Sequence, residues 1–159
     1  MKKLLIVDDD LDLVDLVTRA FIQSGYDALG AANASDAIDA TEVGLFDGAI
    51  LDMRMPDGHG VDLCKQLRVN ILPSVPVLFM TSRDDLDAAL AGFSAGGDDH
   101  VIKPIKLGEL VKRMERLLEI TATENLATRR AGLISSVVER AGIAAHDFDD
   151  VAHPGSVRQ

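Results

Sequence analysis

Short apolar runs alternate along the chain with segments whose apolar residues recur every three or four positions. The runs cover 4–7, a weaker stretch at 26–31, then 48–51, 75–80 and 100–102. Between them the spacing predicts amphipathic helices. Val14, Val17 and Phe21 share one face of the first helix, and Val61, Cys64, Lys65 and Arg68 mark the third. Leu107, Leu110, Val111, Met114, Leu117 and Leu118 mark the fifth. The runs at 4–7, 49–51 and 75–80 are almost continuously apolar, the pattern of strands buried on both faces of a parallel sheet. The β–α alternation with short links therefore predicts an α/β fold, a doubly wound five-stranded parallel sheet with a helical extension at its C-terminus.

In such sheets chemistry collects beyond the carboxyl ends of the strands, so polar residues should follow the apolar runs. Asp8, Asp9 and Asp10 follow the first, Asp52 follows Leu51, Thr81 and Ser82 follow Met80, and Lys103 and Pro104 follow Ile102. Four strand ends thus bring carboxylates, a hydroxyl and an ammonium to one rim. Clustered carboxylates repel unless a cation sits among them. Oxygen donors without imidazole or thiolate favour a hard ion, and Mg²⁺ suits best. A cation beside Asp52 would let an anionic phosphoryl donor approach a carboxylate nucleophile. The Lys103 ammonium and the Thr81 hydroxyl would share the charge on the phosphoryl oxygens. Each element alone has a plainer meaning. The Asp run also suits a helix N-terminus, Asp52 a turn before Met55-Pro56-Asp57-Gly58, Thr81-Ser82 a helix cap and Lys103 a solvated surface. Their joint order along the chain favours the chemical reading.

Composition narrows the alternatives. The chain has 159 residues, 47% hydrophobic, with no run long and apolar enough to span a bilayer. Met1, Lys2 and Lys3 before an apolar run resemble the start of a signal peptide, but Asp8-Asp9-Asp10 ends that run too soon. The single cysteine, Cys64, excludes an internal disulfide framework and points to a reducing, cytoplasmic setting. Cys64 itself reads as core. A net charge of −10 opposes non-specific nucleic-acid binding, and 4% aromatic residues without Trp oppose base stacking. His59, His146 and His153 have no partners at metal-ligand spacing and read as surface residues.

Several segments together resemble the response-regulator receiver family of two-component signalling. They are Leu5-Ile6-Val7-Asp8-Asp9, Leu51-Asp52-Met53-Arg54-Met55-Pro56-Asp57-Gly58-His59-Gly60, Met80-Thr81-Ser82, Ala95-Gly96-Gly97-Asp98-Asp99-His100 and Val101-Ile102-Lys103-Pro104. The resemblance covers roughly residues 3–119 and implies a receiver domain over 1–119 with the flavodoxin-like arrangement. It further implies Asp52 as phosphoacceptor, with Asp8, Asp9, Asp52 and the main-chain carbonyl of Arg54 around Mg²⁺. Thr81 and Lys103 would contact the phosphoryl oxygens, and Lys103-Pro104 would be cis, a geometry readily accessible only before proline. The implied partner is a sensor histidine kinase or a phosphotransfer protein. The implied response is a switch of Thr81 and an aromatic residue near the fifth strand, changing the face made by the fourth helix, fifth strand and fifth helix. That face is also a route to a homodimer.

The sequence departs from the family pattern at three places. His100 occupies the switch position where Tyr or Phe is usual; it is either a tolerated ring or a group whose titration near neutral pH tunes the switch. Arg54 and Arg83 stand two residues after Asp52 and Thr81, where they would pair with phosphoryl oxygens, obstruct the attacking water, or simply face solvent. They predict a longer-lived phosphorylated state than in fast-cycling chemotaxis regulators. Residues 120–159 lie beyond the resemblance. There Thr121-x-x-Glu124 suggests a capping box opening a sixth helix, with a stripe of Leu126, Leu133, Ile134, Val137, Val138 and Ala141. After Gly142 the pattern fades. The tail is too short for a winged-helix domain. It would pack on the receiver, pair with a second subunit or lead to an output domain beyond this chain.

Two other functions share parts of this pattern. A Mg²⁺ phosphohydrolase with an aspartyl nucleophile would have a second Asp two residues after Asp52, where Arg54 stands, and a cap domain for its substrate. A flavodoxin-like cofactor binder would need a phosphate-cradling loop after the first strand, where three Asp residues would repel the phosphate. A signalling switch, catalysing only its own phosphorylation and dephosphorylation, satisfies the whole set without direct nucleic-acid or membrane contact.

Overall fold

Strands and helices alternate in the computed structural model, which describes residues 1–70, 75–82, 91 and 95–123. The elements are β1 (Lys3–Val7), α1 (Leu11–Gln23), β2 (Asp27–Ala31), α2 (Ala34–Val43), β3 (Gly48–Asp52), β4 (Arg54–Met55), β5 (Gly58–His59), α3 (Gly60–Asn70), β6 (Val77–Thr81), β7 (Asp99–Ile102) and α4 (Leu107–Thr123). Five strands form one parallel sheet, as the alternation predicted, and the structure orders them β2-β1-β3-β6-β7. β4 and β5 form a small antiparallel hairpin with Arg54 opposite His59. The helix expected after Thr81-Ser82, Arg83, and the stripe from Leu126 to Ala141 lie outside the described residues.

Successive strand side chains point to opposite faces, and β1 shows the consequence. Leu4 and Ile6 join a core with Val14, Val17, Phe21, Leu110, Met114, Leu117 and Leu118 under α1 and α4. Leu5 and Val7 join Ala37, Leu63, Cys64, Leu67 and Phe79 under α2 and α3. Each fully buried large side chain contributes about 1.5–3 kcal/mol relative to exposure. Phe21 also meets Tyr26 edge-on at 5.7 Å between ring centroids. The predicted faces of the first and fifth helices match these cores.

The third helix is rotated from the expected face. Leu63, Cys64 and Leu67 are buried, whereas Lys65 is exposed. Leu63 and Leu67 stand one turn apart and take the interior, because burying an unpaired ammonium costs more than burying a leucine returns. Cys64 is core as expected, its thiol donating to the Ala95 carbonyl at 3.3 Å. A second correction concerns Thr121. It lies inside α4, and its hydroxyl donates to the Leu117 carbonyl at 2.8 Å. A side chain turned back on the preceding turn cannot cap free amides at a helix start, so no helix begins at Thr121; Glu124, the other half of the expected capping box, lies outside the described residues. Among the described residues, no helix is long and apolar enough to cross a membrane.

Candidate functional site

The run Asp8-Asp9-Asp10 divides by geometry into three roles. Asp10 is the N-cap of α1 and accepts the Leu13 amide at 3.1 Å, which is the plainer helix-start reading of the run. Asp8, just beyond β1, is fully buried, and one of its carboxylate oxygens accepts the Asp10 amide at 2.9 Å. Asp9 is exposed beside it. Asp52 ends β3 as a buried residue of the strand, and carboxylate oxygens of Asp8, Asp9 and Asp52 lie within 4.8 Å of one another. The pairing of β3 with β6 sets Asp52 opposite Met80, which puts Thr81, buried at the end of β6, one residue further along the same rim.

Lys103 reaches this cluster from the end of β7. Its main-chain amide donates to the Thr81 carbonyl at 2.6 Å. Its ammonium lies 2.7 Å from Asp8 Oδ2 and 3.4 Å from Asp52 Oδ1. The Lys103-Pro104 bond is cis, as the resemblance implied. Burial pushes the Asp52 carboxyl above its ordinary range and the nearby Asp8 charge adds to this, against the opposing pull of Lys103 and of the Arg54 amide. Burial would lower the ammonium of Lys103, but its bonds and charge contacts with Asp8 and Asp52 outweigh that and raise it. Among the described residues the cluster holds three carboxylates and one ammonium, an excess of negative charge suited to a hard cation with oxygen ligands.

The hairpin after Asp52 folds back tightly on the phosphoacceptor candidate. The Gly60 amide donates to the Met53 carbonyl at 3.0 Å, and a Cβ on Gly60 would stand 2.0 Å from the Asp52 carbonyl oxygen. Only glycine permits that approach. At the tip, Asp57 accepts the amides of Ala34 and Ser35 at 3.0 and 3.1 Å, capping the first turn of α2 beside the N-cap Asn33. These bonds hold the Asp57 carboxyl below its ordinary range. From sequence Asp57 reads only as a turn residue, because the helix it caps lies 22 and 23 positions earlier. Arg54 and His59 are exposed on the hairpin.

On the edge of the sheet His100 is half-buried and Ile102 is 42% exposed. Arg113 of α4 pairs with Asp99 at 3.0 Å and Glu109 at 3.1 Å, contacts that raise its already high pKa, Asp99 more than Glu109. This face joins β7 to α4 within reach of Lys103 in the chain.

Residues 4–115 match the family described as the response regulator receiver domain. The chain belongs to the response regulator receiver family. Among curated proteins, it is 38% identical over 117 residues to the probable transcriptional regulatory protein TcrX of Mycobacterium tuberculosis, covering 74% of this chain and 50% of that protein. It is 34% identical over 142 residues to the response regulator MprA of Mycobacterium bovis, covering 87% of this chain and 61% of that one. The receiver chain thus spans half to three fifths of the length of these relatives. A CheY-like response regulator receiver domain protein from Methanospirillum hungatei superposes with a TM-score of 0.73 at 25% identity, covering 79% of this chain and 99% of that chain. Fold and family agree with the expectation for a two-component signalling receiver.

Proposed function

We propose that this receiver takes a phosphoryl group on Asp52 from a histidine kinase or phosphotransfer protein and so switches a protein-binding surface. The observation that carries the reading is the meeting of Asp8, Asp9, Asp52 and Lys103 from three strand ends at one rim of the sheet. A carboxylate oxygen of Asp52 forms a bond to phosphorus while the P–N bond to the donor imidazole breaks, its electron pair leaving on nitrogen. Asp8, Asp9, Asp52 and the Arg54 carbonyl are the residues that would hold Mg²⁺, whose charge offsets the repulsion between Asp52 and the incoming phosphoryl oxygens. Lys103 pairs with a phosphoryl oxygen as its bond to Asp52 is given up, and Thr81 donates its hydroxyl to another. No separate substrate is turned over: the chain catalyses only its own phosphorylation and dephosphorylation.

The new charge then draws Thr81 inward and shifts the face made by β7 and α4, with His100 turning towards the space behind Thr81. That face, or the C-terminal extension after the receiver at 120–159, is the route to a homodimer or to an output partner. Arg54 and Arg83 slow hydrolysis of the phosphorylated form. The net charge of −10 supports a chain that does not itself contact nucleic acid, and the single buried thiol supports a cytoplasmic protein.

The test is intact mass after acetyl phosphate and Mg²⁺, wild type beside Asp52→Asn, with sizing chromatography on the same samples. A gain of about 80 Da, one phosphoryl group, in the wild type alone supports the reading. A gain in both, or in neither with the cation bound and the fold intact, refutes Asp52 as acceptor. Earlier elution on phosphorylation supports the dimer.

A further inference from the structure

β7 is an edge strand whose register its own apolar pattern hardly specifies. Of its four residues only Val101 is buried; Asp99, His100 and Ile102 are half-buried or exposed. A strand without a continuous buried face is prone to slip by one residue. A slip here would carry Lys103 about 3.3 Å along the sheet and turn it to the other face. Yet Lys103 must stand within reach of both Asp8 and Asp52. Something other than side-chain burial has to fix where β7 lies.

A buried polar clasp stands at the opposite end of that strand. Asp98 is 1% exposed and immediately precedes β7. Its amide donates to the Val77 carbonyl at 2.7 Å, and its carboxylate accepts the Val77 amide at 2.8 Å, so one residue brackets the start of β6 from both sides. Arg68, from α3, pairs with the same carboxylate at 3.1 Å. The guanidinium also donates to the carbonyls of Gly96 and Val75, the segments entering β7 and β6. Gly96 has φ 102°, and a Cβ there would stand 2.8 Å from Arg68 Nε, so the turn admits the guanidinium only as glycine. From this clasp the ladder runs through Leu78–Asp99 to Thr81–Ile102 and ends where the Lys103 amide meets the Thr81 carbonyl.

We propose that Arg68 and Asp98 are positioning residues for Lys103: together they set the register of β7 on β6, and so deliver the ammonium to Asp8 and Asp52 from the far end of the strand. Buried ion pairs contribute little net stability, and fixing register is among their best-attested uses. The hydrogen bonds of Arg68 and Asp98 run to Val75, Val77 and Gly96, at the opposite end of β6 and β7 from Lys103, so the carboxylate cluster should keep its place when they are broken. The inference rests on the reading of Lys103 as a group that assists phosphorylation of Asp52.

The test compares wild type, Asp98→Asn, Arg68→Met and Lys103→Met in the full chain. Three quantities are measured: phosphorylation rate by acetyl phosphate at saturating Mg²⁺, Mg²⁺ affinity by calorimetry, and hydrogen exchange of the Lys103 amide. The clasp variants should retain cooperative unfolding and bind Mg²⁺ at least as well as wild type. They should lose protection at Lys103 and phosphorylate about 10- to 100-fold more slowly, the range expected for misplacing a catalytic group by an ångström or more. Wild-type rate and protection in a folded clasp variant overturn the proposal. So does a loss of rate in proportion to a loss of Mg²⁺ affinity, which marks a general structural defect. If Lys103→Met phosphorylates at the wild-type rate, the reading of Lys103 fails, while exchange at Lys103 still decides the register claim. Should Asp98→Asn and Arg68→Met not fold, Arg68→Lys, which keeps the charge but not the fork, replaces them; unchanged exchange and rate in that variant refute the clasp.

Discussion

Replacing Lys103 with methionine removes the one ammonium that separates two buried carboxylates while keeping most of the side-chain volume. The ammonium lies 2.7 Å from Asp8 and 3.4 Å from Asp52, with Asp8 fully buried and Lys103 itself 25% exposed. At an effective dielectric constant of about 20 the two attractions amount to roughly 6 and 5 kcal/mol gross. Desolvation of all three groups cancels most of that. The net loss on breaking such a pair is about 3 kcal/mol, the lower end for buried pairs because the lysine retains some solvent contact. Urea unfolding in EDTA should show it as a midpoint lower by about 1–3 M. Mg²⁺ should then restore most of the loss, since a divalent ion replaces the missing charge; at 100 times its Kd a bound ligand adds about 2.7 kcal/mol. The ammonium and the cation compete for Asp8 and Asp52, so Lys103→Met should also bind Mg²⁺ more tightly than wild type. In a double-mutant cycle Asp8→Asn should relieve part of the cost of Lys103→Met. A variant as stable as wild type in EDTA, or one that Mg²⁺ fails to restore, refutes the account of Lys103 as the counter-charge of this cluster.

Asp52→Asn should raise stability at neutral pH in EDTA. The folded carboxyl titrates above its unfolded value, so its contribution is present below the unfolded pKa and is lost as pH rises through the folded one. The gain from Asn should therefore shrink as denaturation is followed to acid pH; a constant gain would refute the assignment. Asp57 behaves oppositely. Its folded pKa is depressed by the Ala34 and Ser35 amides, so its contribution is present above the unfolded pKa and lost as pH falls through the folded value. Asp57→Asn should flatten the acid limb of the stability curve and speed exchange of those two amides, and unchanged exchange would contradict the cap. Gly60→Ala should cost about 1–3 kcal/mol in chemical denaturation, as overpacking does, and slow phosphorylation, because the new methyl must push the Asp52 carbonyl from its place. Retention of both the wild-type rate and stability would show that the hairpin yields freely.

The sequence by itself determined the elements and the edge at which chemistry collects. Runs such as 4–7 and 48–51 are too short for buried helices and end at Asp8 and Asp52, so they read as strands buried on both faces, and β–α alternation then makes the sheet parallel. With the strands parallel, all residues after the runs fall on one rim, which is why Asp8, Asp52, Thr81 and Lys103 were legible before their geometry. Three matters were decided only in three dimensions. The division of the Asp run, with Asp10 capping α1 and Asp8 paired to Lys103, depends on which carboxylate points inward after the helix has started. The rotation of α3 depends on competition between Leu63, Leu67 and Lys65 for one interior, which a helical period alone does not resolve. The bonds of Asp57 to α2 and of Asp98 to Arg68 and Val77 join residues more than twenty positions apart. Local pattern records which face of a strand is apolar. It does not record the register between strands brought together by a helical crossover, and at β7, where almost nothing is buried, that register is held by polar contacts that appear only when the chain has folded.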